Sequence, residues 1–126
     1  MTNTSIILYG LRNCDTVKKA RQWLDDHGQA YQFHDFKVDG VPADELDHWL
    51  RQVGWETLLN RKGTTWRKLG AAVQASAMDA AGARAVMLAN SSVIKRPVVA
   101  WKGRAGKDIS VGFTAALWDT RVAKGN

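Results

Sequence analysis

The sequence predicts an α/β fold built on a mixed sheet, and three observations carry that expectation. A strand, a helix and a second strand follow one another before residue 37. A long helical stretch, about residues 41–92, comes next. Two extended runs and a last helix then close the chain.

Each element has its own signal. The run Ser5-Ile6-Ile7-Leu8-Tyr9 is apolar and rich in β-branched residues, and it stops at Gly10, as a buried strand would. Val17, Ala20 and Leu24 recur at helical spacing, with charges on the other face and Gly28 as a C-terminal stop. From Ala30 to Phe36 aromatic and polar residues alternate, the pattern of a half-buried strand, so the first three elements form a βαβ unit. After a turn at Asp39-Gly40, Pro42 suits the first position of another helix. Leu46, Trp49, Leu50 and Val53 give that helix an apolar stripe, ended by Gly54.

Short helical pieces are expected at Thr57–Asn60 and Thr65–Leu69, with Gly63 between them and Trp66 packed under the Arg61 loop. Ser76 with Asp79 three residues on has the form of a capping box for a helix running to Ala89. Pro97 to Trp101 and Lys107 to Ser110 flank a glycine-bearing turn, as in an antiparallel hairpin. Gly112 precedes a final helix over about Thr114 to Val122. The order βαβ, helical insert, ββα is that of a thioredoxin-like fold with an inserted helical region, here one domain over residues 1–126.

A chain of 126 residues can bury a core without disulfides or a structural metal. Its net charge of +6 is uneven: residues 1–60 hold six Lys/Arg against nine Asp/Glu, and residues 61–126 hold twelve against three. The basic residues are scattered, apart from Arg61-Lys62 and Arg67-Lys68, and no recognition motif accompanies them. A solvated basic face accounts for them, and nucleic acid is not expected as a partner. No apolar stretch approaches membrane length, and Ile6-Ile7-Leu8 is too short for a signal peptide, so a soluble cytoplasmic protein is expected. A single cysteine excludes an internal disulfide and any multi-cysteine zinc or iron–sulfur site, and His27, His34 and His48 show no ligand spacing. No metal is expected.

That cysteine, Cys14, falls where the first strand hands over to the first helix. Helix N-termini present unpartnered N–H groups and the positive end of the macrodipole, both of which favour a thiolate. Arg12 two residues before and Lys18 one turn later would add to the effect, whereas the Asp15 carboxylate would oppose it. On residues alone two readings stand: a small buried hydrophobe, or a reactive thiolate in a polar loop-to-helix junction. Val17 occupies the position three beyond Cys14, so a dithiol C-x-x-C mechanism is excluded.

Three blocks carry a resemblance. Tyr9-Gly10-Leu11-Arg12-Asn13-Cys14-Asp15-Thr16-Val17-Lys18-Lys19-Ala20, Leu59-Asn60-Arg61-Lys62-Gly63-Thr64-Thr65-Trp66-Arg67 and Ile94-Lys95-Arg96-Pro97-Val98-Val99 together resemble the ArsC/Spx family of arsenate reductase-like proteins, nearest its YffB-type branch. The resemblance implies that Cys14 is the nucleophile or redox thiol, that Arg12, Asn13, Arg61 and Arg96 bind an oxyanion or glutathione, and that Pro97 is a cis-proline facing the cysteine. Arginine suits such a site because its planar fork donates paired, charge-assisted hydrogen bonds.

Arsenate reductases of the family carry a third arginine where this chain has Val111-Gly112-Phe113, a departure that tells against arsenate as substrate. With no resolving cysteine, an external thiol must complete the cycle, and glutathione is the cosubstrate the resemblance suggests. The expected function is a small thiol-dependent reductase acting on an oxidised or oxyanion substrate. The alternatives are an arsenate reductase proper, or an Spx-like non-enzymatic regulator that docks on RNA polymerase. Many Spx proteins use a C-x-x-C switch that Val17 does not permit here.

Overall fold

The computed structural model describes residues 6–124. Ser5, at the start of the first predicted strand, lies outside them. The strand β1 (Ile7–Gly10) is buried along its whole length, as an uninterrupted apolar run requires. It reaches one residue further than expected, because Gly10 pairs with Asp35 and ends the ladder beneath the first helix. A Cβ at Gly10 would stand 2.7 Å from Cγ2 of Val17, so only glycine lets strand and helix close up here.

Helix α1 (Asp15–Asp26) buries Val17, Ala20, Trp23 and Leu24 and ends at Gly28, whose φ of 65° takes the left-handed conformation. Strand β2 (Gln32–Asp35) is shorter than the expected run to Phe36. The Asp35 side chain accepts the Lys37 N–H at 2.9 Å and turns the chain into α2 (Phe36–Asp39).

The middle of the chain is helical: α3 (Ala43–Val53), α4 (Trp55–Leu58), α5 (Thr64–Lys68), α6 (Ala71–Ser76), α7 (Ala80–Ala89) and a 3-10 turn at Ser91–Val93. Pro42 stands one place outside α3, at its N-cap. The piece expected at Thr57–Asn60 is a helix only to Leu58; Leu59 bridges Ile94 in antiparallel fashion, and Asn60 N–H donates to the Val93 carbonyl at 2.7 Å. Tertiary pairing here overrides local pattern.

The capping box proves to be a single cap. Ser76 ends α6, its hydroxyl donating to the Val73 carbonyl, while Asp79 alone caps α7 by accepting the Gly82 N–H at 2.7 Å. A Cβ on Gly82 would come within 1.7 Å of the Ser76 carbonyl oxygen, so this glycine is what allows α6 and α7 to meet. Helices of four to six residues such as α4, α5 and α6 are not stable alone. Burial holds this region: Leu46, Trp49, Leu58 and Met87 are fully buried, each worth about 1.5–3 kcal/mol.

Strands β3 (Val98–Ala100) and β4 (Ile109–Val111) form the expected hairpin, and α8 (Ala115–Lys124) follows Gly112. The sheet order is β2-β1-β3-β4, with β1 and β2 parallel and the other pairs antiparallel. Alternation divides the core. Ile7, Tyr9, Val98 and Ala100 face the inserted helices, and Leu8 and Val99 face α1 with Trp23, Trp101 and Trp118. This is a thioredoxin-like fold with a helical region inserted between β2 and β3.

Candidate functional site

Cys14 is the N-cap of α1, with extended backbone (φ −112°, ψ 123°), and its carbonyl accepts the first helical bond, from Lys18 N–H at 2.9 Å. The side chain is half-buried against the cluster containing Val17 and Trp118. Partial burial pushes the thiol pKa up. The Val17 N–H, the Arg96 guanidinium acting as donor and as charge, and the Thr16 N–H together outweigh that, and the pKa lies below its ordinary value.

The cation that acts on the thiol comes from a distant loop and not from the neighbours in sequence. Arg12 is 68% exposed, turned away toward Asp35 at 3.9 Å and the Phe33 ring at 6.0 Å. Lys18 is exposed on the outer face of α1 and Asp15 on its first turn. The expected help from Arg12 and Lys18 is therefore replaced by that of Arg96.

Arg96 is anchored where it is needed. Its Nη1 donates to the carbonyls of Ser92 at 2.7 Å and Ile94 at 3.2 Å, and the Arg96–Pro97 peptide is cis. Its Nε–H is buried and has no partner among the described residues. A backbone carbonyl leaves no side-chain signature, so the part Ser92 plays had no signal in the sequence.

Arg61 behaves differently. It is exposed and lies over the Trp55 ring at 5.7 Å, a contact the sequence did not indicate. Asn13 and Arg12 line a cleft of about 450 Å³ with Leu11, Asp35, Lys37, Ser91 and Ser92, beside the cysteine. Where a third arginine would stand, Gly112 turns with φ 87° and donates its N–H to the Pro97 carbonyl at 2.8 Å, while Phe113 packs edge-on to Trp118. Val17 is fully buried against Gly10, so the position three beyond the cysteine serves the core. Among the described residues no helix is long and apolar enough to cross a membrane, and no His, Cys, Asp and Glu group is gathered for a metal.

The chain thus joins a thioredoxin-like sheet to a half-buried cysteine at the N-cap of its first helix, with an arginine held beside it. The chain belongs to the ArsC family, which matches residues 9–120. It is similar to the solved YFFB protein, 46% identical over 91% of this chain and 96% of that one, with a TM-score of 0.83. An arsenate reductase (ArsC) related protein from Brucella melitensis is 48% identical, with 97% and 98% covered and a TM-score of 0.73. The global transcriptional regulator Spx of Streptococcus agalactiae is 24% identical over 86% of this chain and 76% of its own length.

Proposed function

We propose that the protein is a thiol-dependent reductase in which Cys14 is the nucleophile and glutathione the external reductant. The observation that carries this reading is the Cys14 thiol at the α1 N-cap, held below its ordinary pKa by helix N–H groups and Arg96. In the proposed cycle the Cys14 thiolate attacks the glutathionyl sulfur of a substrate–glutathione mixed disulfide, the S–S bond breaks, and the substrate sulfur leaves as a thiolate. The Cys14–glutathione disulfide that remains is cleaved by a second glutathione thiolate. The substrate gains two electrons, and the two glutathione molecules leave as their disulfide.

Arg96, with an unused buried Nε–H, would meet an anionic group beside the sulfur, and Arg12, Asn13 and Arg61 would serve ligand carboxylates further out. Incubation with oxidised glutathione followed by intact mass measurement tests the reading. A single adduct on Cys14, removed by reduced glutathione, is expected. No adduct, with a thiol that titrates like free cysteine, would overturn it.

Arsenate is the less favoured oxyanion, because Gly112 and Phe113 supply no third cation. A coupled assay with arsenate and glutathione is expected to show turnover well below that of a three-arginine enzyme. A non-enzymatic role at RNA polymerase is the second reading, favoured by the Spx relative and the basic second half of the chain. Binding of a purified polymerase subunit that persists in Cys14→Ser would support it.

A further inference from the structure

On the far side of the hairpin from β1, strand β4 forms an open edge of the sheet. Trp101 N–H donates to the Asp108 carbonyl and Gly112 N–H to the Pro97 carbonyl, and Val99 stands opposite Ser110. These are the hydrogen-bonded pairs of the antiparallel ladder. The residues between them, Ile109 and Val111, consequently direct their N–H and C=O groups out of the sheet. A row of unsatisfied backbone groups of this kind is a template for another strand.

Beside this edge runs a groove of about 560 Å³ between β4 and α8. Its walls include Val111, Thr114, Leu117 and Trp118, and Leu117 is 65% exposed, the most open large apolar side chain on α8 among the described residues. One end is basic. Lys102 lines it, and the groove's carboxylate, Asp108, is already engaged by Arg121, while further round the turn Glu45 of α3 accepts the Ala105 N–H. The other end, Gly112, touches Pro97 and so lies next to the thiol site.

We propose that the β4 edge and the β4–α8 groove bind an extended, acidic segment of a partner protein. The segment adds as a strand to Ile109 and Val111, sets an apolar side chain against Leu117, and places a carboxylate by Lys102. The charge selects this occupant. A second copy of the chain pairing edge to edge would bring its own Lys102 to this groove.

The test is an NMR titration of the full chain with a blocked pentapeptide, Val-Glu-Val-Glu-Val, and its Val-Lys-Val-Lys-Val counterpart. The acidic peptide is expected to shift the Ile109 and Val111 amides and slow their exchange with solvent. Binding should weaken at least tenfold in Leu117→Asp or Lys102→Glu, both exposed positions, and remain unchanged in Cys14→Ser. Absence of binding at millimolar acidic peptide, equal binding of the lysine peptide, or shifts confined to other elements would each overturn the proposal. So would a dimer in solution whose interface protects the same two amides.

Discussion

The Arg61 loop and the Arg96 loop are joined by one antiparallel bridge, Leu59 to Ile94, yet the two arginines end in different surroundings. Arg96 has its Nη1 held by two backbone carbonyls and acts on Cys14. Arg61 lies exposed over Trp55 and forms no part of what lowers the Cys14 pKa. The difference teaches that here the arginine whose donors are fixed by backbone carbonyls is the one that acts on the half-buried thiol. A solvated guanidinium is screened and pays rotamer entropy to hold one pose.

The sharpest test of that contrast removes the thiol itself. Cys14→Ser is expected to abolish alkylation by iodoacetamide and glutathione adduct formation, with little change in thermal midpoint, since the two side chains are nearly isosteric. It should also change the pH dependence of stability. The thiol's pKa is lower folded than unfolded, so between the two values the unfolded chain binds more protons and stability rises with pH. That increment is complete above the unfolded value of about 8.5 and is lost as pH falls through the folded pKa. Urea titrations across this window should show it in the native chain and not in the variant.

Arg96→Gln comes next in size. It removes the charge from Cys14, and the thiolate fraction at neutral pH is expected to fall about tenfold for each unit the pKa rises. The rate of adduct formation with oxidised glutathione at pH 7 reports it. A rate unchanged from the native chain would break the contrast between the two arginines.

Two smaller effects sharpen it. Asp79→Ala removes the cap of α7 far from the thiol and should lower stability by about 1 kcal/mol in denaturant titrations, leaving thiol reactivity intact. Arg61→Ala should lose the contact with Trp55, on the order of 0.5 kcal/mol of stability at an exposed site, with the reactivity of Cys14 toward iodoacetamide at pH 7 intact.

These same residues show how far the sequence could be read. The strands, α1, α3 and the closing hairpin were legible because their apolar residues recur at periods that local geometry imposes. Cys14 at a helix start was legible for the same reason. What lay beyond reach was long-range. Leu59 leaves a helical pattern to pair with Ile94, thirty-five residues on, and Asp35 turns Phe36 out of its strand. Arg12 and Lys18, adjacent in sequence, are directed away from the thiol, and Arg96 is brought to it through the Ser92 carbonyl. Proximity along the chain named the wrong cations. Only the resemblance pointed to Arg96, and it pointed equally to Arg61.

The measurement that bears most directly on the central claim is the pH dependence of Cys14 alkylation in the native chain, Arg96→Gln and Arg61→Ala. The native midpoint is expected below the free-thiol value of about 8.5, raised in Arg96→Gln and unmoved in Arg61→Ala. A native midpoint at the free-thiol value, or an Arg61→Ala shift as large as that of Arg96→Gln, would contradict the account.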